Sequence, residues 1–324
     1  MFKKTIFVII IFFVTGELLM RIDEHFKFFD DTRVVKIAKE IVITPEYTMM
    51  NENKIDLAGN NLRIMVLGDS YIAGGGIEAK DKFSEQLKLI LKKNNKKYNA
   101  VYVLDVSKPS NNTLDNRQTY FEFVDKFKPQ YVIIGYNLND IDGNLDKSLI
   151  KVDSGKTAAE MTNTYVKQTL LQKITYFYKQ SKVLDYVLHT LHNEMKIHGF
   201  IFLNSVLDVT IKNYVENRRS WQQSKQLLQE VSNDAKAKKI QLIMLKFPEI
   251  YLLEYPKIFE KTETTIRDFY KQSPWVIFVN GNDIFKGEKS KDYILSKYDG
   301  HPNEKAHNKM AMYISKYINT SDKP

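Results

Sequence analysis

Short apolar runs separated by polar turns recur in two parts of the chain. The first run, Leu62-Arg-Ile-Met-Val-Leu67, stops at Gly68-Asp69-Ser70, and an amphipathic stretch follows from Phe83 to Leu91. The run predicts a buried strand, and the spacing of apolar residues in the following stretch predicts a helix. The strand would therefore deliver Ser70 to its C-terminal end, where open α/β sheets place ligands and catalytic groups.

Four more apolar runs predict strands, with helical patterns between them. These runs span residues 100–105, 131–135, 240–245 and 275–279. Alternating strands and helices are typical of a doubly wound parallel sheet with right-handed crossovers. We therefore predict an α/β fold built on a five-stranded parallel sheet.

The alternation lapses between the third and fourth strands, where a helical insertion is predicted over residues 141–239. Apolar spacing predicts helix over 157–198 and one long helix over 213–239. The insertion would lie at the C-terminal edge of the sheet, over Ser70. A closing helix is predicted after Asp299-Gly-His-Pro-Asn303, because proline and asparagine favour a helix start.

The N-terminus has the pattern of an export segment. Lys3-Lys4 precede an apolar run from Ile6 to Val14, and no small-residue cleavage site follows. This pattern predicts a signal anchor or transmembrane helix over residues 1–21, with the body of the protein outside the cytoplasm. Residues 22–61 are predicted to be a connector, and 62–320 one domain that includes the helical insertion.

The amino-acid composition argues against several classes of function for this protein. The 324 residues are 43% apolar and 27% charged, with a net charge of +9 and no cysteine. The lysines are scattered, so nucleic-acid binding is not predicted. Without cysteine there is no thiol nucleophile, and the His189/His192 pair lacks a third ligand. We therefore predict neither a metal nor a cofactor.

Ser70 needs a base and an orienting carboxylate to act as a nucleophile. Asp299 and His301 supply both on one turn, at the same predicted sheet edge. The alternative is that Asp299 caps a helix and His301 is a loop histidine. Asn139, after the third strand, could donate to an oxyanion together with backbone N–H groups of Ser70 and the 107–111 loop, although an Asn-Asp pair is also a common turn signal.

These motifs resemble those of the SGNH hydrolases, also called GDSL-type esterases. Gly68-Asp-Ser-Tyr71 is similar to the first block of that family, Gly135-Tyr-Asn-Leu-Asn-Asp140 to the third and Asp299-Gly-His-Pro-Asn303 to the fifth. The resemblance implies a flavodoxin-like SGNH fold. It also implies Ser70 as nucleophile, His301 as base, Asp299 as its orienting group and Asn139 as oxyanion donor.

Two departures from the family pattern concern the same site. The second block usually carries a glycine whose N–H enters the oxyanion hole, and Ser110 stands at that place. The resemblance therefore implies the backbone of Ser110 as a donor, with less conformational freedom than glycine. The fifth block usually spaces aspartate three residues before histidine, whereas the gap here is two, as in the alginate-acetylating relatives.

The expected function is that of a membrane-anchored, extracytoplasmic serine hydrolase of O-acyl esters, with acetyl as the expected acyl group. The substrate would be an acylated small molecule or polysaccharide. Two alternatives stay open. One is an O-acetyltransferase of an envelope or exported polysaccharide, and the other is a non-catalytic SGNH-like protein that binds a glycan or a partner.

Overall fold

A five-stranded parallel sheet forms the centre of the computed structural model, which describes Thr15, Glu17, Leu18 and residues 54–141, 205–296 and 299–318. Its strands are β1 (Leu62–Leu67), β2 (Val101–Asp105), β3 (Tyr131–Tyr136), β4 (Gln241–Lys246) and β5 (Val276–Asn280). The order across the sheet is β2-β1-β3-β4-β5, and every neighbouring pair is parallel. The predicted α/β fold and its five strands are confirmed.

Helices cover both faces of this sheet. The helices of the described residues are α1 (Ser70–Ala73), α2 (Phe83–Asn94), α3 (Thr113–Phe127), α4 (Ser205–Val215), α5 (Arg219–Ala237), α6 (Glu260–Lys271), α7 (Gly281–Ile284) and α8 (Glu304–Ile314). Helices α2 and α8 pack against each other on one face, and α3 packs against α5 on the other. This arrangement follows from right-handed crossovers that leave β1 in both directions.

The core forms because apolar side chains line both faces of β1. Ile64 and Val66 pack with Leu87 of α2 and with Met310 and Ile314 of α8. All five side chains are fully buried. A strand buried on both faces is a continuous apolar run, and this accounts for the unbroken apolar pattern from Ile64 to Leu67. Helix α8 is the closing helix that was predicted after Asn303, and its apolar side chains contribute to this core.

The single long helix predicted over 213–239 is wrong, because the chain breaks between α4 and α5. Asn217 has a φ of 49°, in the left-handed region. Arg218 then takes an extended conformation ahead of α5. Asparagine tolerates the left-handed conformation better than most residues and often ends helices. The apolar spacing continues across the break, so the pattern alone did not reveal it.

A short antiparallel hairpin near the C-terminus was not predicted. It pairs β6 (Ile294–Ser296) with β7 (Asp299–Pro302). Asn303 then caps α8, because its side chain accepts hydrogen bonds from the N–H groups of Lys305 and Ala306. Such a cap stabilises a helix by about 1 kcal/mol. The hairpin and the cap together fix the direction in which β7 approaches the sheet.

Several predicted segments lie mostly or wholly outside the described residues. These are the anchor over 1–21, most of the connector over 22–61 and the helix over 157–198. Of the 141–239 insertion, the structure describes residue 141 and the part from 205 onward, which contains α4 and α5. In the parts of the chain that the structure describes, no helix is both long enough and apolar enough to span a bilayer.

Candidate active site

Ser70 lies directly beyond the C-terminal end of β1, as the first residue of the one-turn helix α1. Asp69 caps this helix, and its carboxylate accepts the N–H of Tyr71 at 2.9 Å. Asp69 is 2% exposed. The buried side chain of Asp69 therefore stabilises the turn that carries Ser70.

Two glycines let this turn sit close to the sheet. A Cβ atom on Gly68 would lie 2.7 Å from Cγ1 of Ile72, and one on Gly135 would lie 2.2 Å from the same atom. Both distances are far below van der Waals contact, so only glycine leaves room for Ile72 at either position. The glycines of the first and third sequence blocks therefore serve one purpose, which is to seat α1 against β1 and β3.

The structure brings Ser70, His301 and Asp299 together. The Nε2 atom of His301 lies 3.0 Å from Ser70 Oγ, and its Nδ1 atom lies 2.6 Å from Asp299 Oδ1. The same Asp299 oxygen accepts the backbone N–H of His301 at 3.0 Å. One carboxylate oxygen thus fixes both the ring and the backbone of the histidine. The spacing of two residues allows this because β7 is extended.

The charges around His301 favour its protonated form. The hydrogen bond with Asp299 raises the pKa of His301 above its usual value, against the effect of burial. The same bond lowers the pKa of Asp299. Burial raises the pKa of Asp69 to about 6, although the Tyr71 N–H and His301 stabilise its charge. The charge of Asp69 also raises the pKa of His301, to a smaller extent than the hydrogen bond with Asp299 does.

Ser110 occupies a glycine-like position in the loop after β2. The turn is closed by a hydrogen bond from the N–H of Asn111 to the carbonyl of Lys108 at 3.2 Å, with Pro109 between them. Ser110 has a φ of 67°, the positive value that glycine usually supplies at the third position of such a turn. The N–H of Lys108 donates to the carbonyl of Gly68 at 3.1 Å. The second block is thereby tied to the strand that carries Ser70.

Asn139 lies on a 3-10 turn, Leu138–Ile141, just beyond β3, and its side chain is exposed. The turn is held by hydrogen bonds of Asn137 and Asp140, whose backbone and side-chain groups pair with each other. The sequence motif did not identify Asn137. Of Asn137 and Asn139, however, Asn137 is the one whose side chain is buried. Its side chain is 3% exposed, and its Oδ1 atom accepts the N–H of Leu138 at 2.9 Å.

Tyr71 is a second residue that the motif search did not assign. Its ring centroid lies 5.2 Å from that of His301 and 5.8 Å from that of Phe247. The tyrosine is 8% exposed. A buried aromatic ring thus packs against the imidazole of His301. The signal for it was the aromatic residue that follows Gly-Asp-Ser in the first block.

The described part of the chain was searched for clusters of metal ligands. Over 54–141, 205–296 and 299–318, no three histidine, aspartate or glutamate side chains are grouped as metal ligands. His189 and His192 lie outside the described residues. The chemistry available at the site is that of a hydroxyl, an imidazole and a carboxylate in series.

Comparisons with known proteins give fold-level similarities. No protein-family model matches the sequence, and no curated protein matches it. Among solved structures, the chain is similar to a protein from Desulfitobacterium hafniense assigned to the G-D-S-L family of lipolytic proteins. The identity is 12%, the match covers 80% of this chain and 100% of that one, and the TM-score is 0.45.

Two further solved structures have similar values. An acetylxylan esterase from Geobacillus stearothermophilus is 11% identical over 82% of this chain and 99% of its own, with a TM-score of 0.45. A lipase/acylhydrolase from Enterococcus faecalis is 11% identical over 81% and 100%, with a TM-score of 0.43. Esterases and acylhydrolases, a G-D-S-L protein among them, are thus among the proteins of known structure to which this α/β chain is similar.

Proposed function

We propose that the protein is a serine ester hydrolase that acts on O-acyl esters, with acetyl as the expected acyl group. The observation that carries this proposal is the series of contacts from Ser70 Oγ to His301 Nε2 and from His301 Nδ1 to Asp299, at 3.0 Å and 2.6 Å. A hydroxyl within hydrogen-bond reach of an oriented imidazole is the requirement for nucleophilic catalysis by serine.

In the proposed reaction, Ser70 Oγ attacks the acyl carbonyl carbon while His301 Nε2 takes the hydroxyl proton. Asp299 accepts the Nδ1–H of the imidazole and stabilises the imidazolium that forms. His301 then protonates the departing alcohol, which leaves an acyl group on Ser70. Water attacks this ester with His301 again as base, and the carboxylic acid departs as Ser70 regains its proton.

The negative oxygen of the tetrahedral intermediate needs hydrogen-bond donors. We assign this role to the Asn139 amide and to the backbone N–H groups of Ser70 and Ser110. Support comes from the loops that carry these groups. The Ser110 turn is tied to Gly68 through Lys108, and the Asn139 turn follows β3, the direct neighbour of β1. Both loops therefore border the strand end that presents Ser70.

Transfer to a sugar hydroxyl is the second candidate. If an alcohol replaces water in the second step, the same residues make an O-acetyltransferase of an envelope or exported polysaccharide. The feature that favours this candidate is the position of Asp299 two residues before His301, because this spacing resembles that of the alginate-acetylating relatives. A non-catalytic glycan- or partner-binding protein is the third candidate, and it has no need of a 3.0 Å contact between His301 and Ser70.

We also propose that the N-terminal segment anchors the protein in a membrane and that the hydrolase domain lies outside the cytoplasm. The basic start and apolar run of residues 1–21 support this location. An acylated polysaccharide of the envelope would be the substrate class accessible there. Accessibility of the domain to protease added to intact cells tests the location independently of activity.

Hydrolysis of p-nitrophenyl acetate by the purified protein tests the proposed chemistry. Ser70→Ala is expected to lower kcat by about 10³-fold or more. Ser220→Ala is the control, because Ser220 is a partly exposed serine in α5. Adding a soluble acetyl-accepting sugar separates transfer from hydrolysis through the product formed. Wild-type activity in Ser70→Ala would contradict the proposal.

A further inference from the structure

Lysines that are scattered along the sequence meet at one edge of the folded sheet. In a parallel sheet every strand begins at the same edge, and each crossover helix ends there. The segments that lead into β2, β3, β4 and β5 are residues 92–100, 126–130, 235–240 and 271–275. Together they hold ten lysines, all exposed, and no aspartate, glutamate or arginine. We call this the amino edge, and Ser70 lies at the opposite, carboxyl edge.

The charge at the carboxyl edge is mixed. Residues 68–82 follow β1 there, and residues 247–259 follow β4. These two segments hold five acidic residues and three lysines. The positive charge of the amino edge is therefore a property of that edge and not of the whole surface.

Acidic side chains of the neighbouring helices pair with two of the ten lysines. Lys238 Nζ lies 3.2 Å from Asp125 Oδ1 and 2.9 Å from Asp234 Oδ2. Lys271 Nζ lies 2.7 Å from Asp268 Oδ1. The charge of the other eight lysines is not matched by any acidic residue of the four segments.

Helix dipoles explain only part of this pattern. A lysine in the last turn of a helix is favoured by the partial negative charge at the helix C-terminus, and the effect fades beyond that turn. Helices α2, α3 and α5 end at Asn94, Phe127 and Ala237. Four of the lysines follow these ends and contribute no helical turn, namely Lys96, Lys97, Lys128 and Lys239. The edge is thus more basic than helix termination requires.

Aromatic rings lie among these lysines. A groove of about 390 Å³ at this edge is lined by Tyr98, Tyr131, Trp275, Lys236 and Lys239, among others. Lys236 Nζ lies 3.9 Å from the centroid of the Trp275 ring, and the Trp275 Nε1–H donates to Ser232 Oγ at 2.9 Å. The indole is therefore held in place while it remains partly exposed.

The connector predicted over 22–61 joins the domain at the same edge. Its described residues, 54–61, lead directly into β1. Asn60 Nδ2 donates to the carbonyl of Lys97 at 2.7 Å, and the N–H of Asn99 donates to the carbonyl of Asn60 at 2.8 Å. The chain that leads back to the predicted anchor therefore leaves the domain beside the lysine-rich turn before β2.

We propose that the amino edge docks on the surface of a membrane that contains anionic phospholipid. Exposed lysines bind anionic headgroups, and tryptophan and tyrosine favour the headgroup region because their rings are apolar with one polar end. The edge lacks arginine, the residue of choice for nucleic-acid phosphates. The proposal rests on the membrane location proposed above and is independent of the reaction at Ser70, which would face away from the bilayer.

Trp275 is a reporter of docking, because the chain has two tryptophans and the other, Trp221, is 1% exposed. The full-length protein is reconstituted into vesicles of phosphatidylcholine or of its equal mixture with phosphatidylglycerol, with lipids brominated near the headgroup as quenchers. Both vesicles would accept the N-terminal segment, so their difference in tryptophan quenching measures docking of the edge.

We expect quenching at least about twofold stronger with phosphatidylglycerol, reversed near 1 M salt and absent from Trp275→Phe. A lysine near an anionic surface is worth roughly fivefold in affinity. The combined variant Lys96→Gln, Lys97→Gln, Lys236→Gln and Lys239→Gln should therefore fall to the phosphatidylcholine level. Lys257→Gln with Lys261→Gln is the control, because both lysines are exposed and follow β4 at the carboxyl edge. Hydrolysis of p-nitrophenyl acetate should stay within about twofold in each variant.

Equal quenching in the two kinds of vesicle, or lipid-dependent quenching that the combined variant retains, would overturn the docking proposal. So would a change of Trp275 emission with polygalacturonate, a soluble acidic polysaccharide, but not with anionic vesicles, since the edge would then bind an acidic glycan. Failure to associate with phosphatidylcholine vesicles would count against the anchor alone. Absence of ester hydrolysis by the folded wild type would count against the proposed chemistry alone.

Discussion

The Nε2 atom of His301 lies 3.0 Å from Ser70 Oγ, although 231 positions separate the two residues in the chain. Strand β1 and the short helix α1 fix the position of Ser70. The β6–β7 hairpin and the Asn303 cap fix the position of His301. Both are delivered to the carboxyl edge of the same parallel sheet, which is where such folds assemble sites.

The pKa of His301 predicts the acidic limb of the pH profile. His301 must be neutral to take a proton, and its hydrogen bond with Asp299 raises its pKa above 6.5. The value of kcat/KM should therefore rise with pH through a midpoint above 6.5. Asp299→Asn should move this midpoint down and lower kcat by about 10³- to 10⁴-fold. Steady-state hydrolysis measured from pH 5 to 9 tests both, and an unchanged midpoint in Asp299→Asn would count against the assigned pair.

The positive φ of Ser110 predicts a stabilising substitution. A residue other than glycine in the left-handed region costs about 1–2 kcal/mol, and Ser110 has a φ of 67°. Ser110→Gly should therefore raise the free energy of unfolding by up to about 1 kcal/mol, the gain being reduced by the added freedom of the unfolded chain. Esterase activity should persist because the backbone N–H remains. Urea unfolding measures the change in the free energy of unfolding. A less stable Ser110→Gly variant would contradict the claim that the backbone is strained at Ser110.

Gly135 and Ile72 predict an energetic coupling. A Cβ on Gly135 would lie 2.2 Å from Ile72 Cγ1. Gly135→Ala should therefore destabilise the protein by about 1–3 kcal/mol, whereas the same change in an Ile72→Ala background should cost much less. A double-mutant cycle in urea measures the interaction energy. Additive effects would show that Ile72 is not the residue that requires glycine at position 135.

The fold was predictable because its strands are buried on both faces. The unbroken apolar runs at 64–67 in β1 and 242–245 in β4 are typical of buried strands in a chain where strands alternate with helices. The break at Asn217 and the β6–β7 hairpin were not predictable in the same way. Apolar spacing continues across the break at Asn217, and the two strands of the hairpin are only three and four residues long, too short to give a periodic pattern.

The candidate site was predictable where function requires a fixed residue type. The motifs around Ser70, Asn139 and His301 point to one sheet edge, and the structure joins Ser70 to His301 and Asp299. The polar residues behind them were not predictable. Asn137 and Glu249 belong to ordinary turn sequences, and only tertiary packing shows that they are buried.

Covalent labelling of Ser70 tests the central claim most directly. The full-length protein is incubated with a fluorophosphonate, and the modified peptide is identified by mass spectrometry. We predict one adduct, on Ser70, formed far more slowly in His301→Ala and absent from Ser70→Ala. Absence of an adduct on Ser70 in the folded wild-type protein, or equal labelling of wild type and His301→Ala, would contradict the assignment of Ser70 as a nucleophile activated by His301.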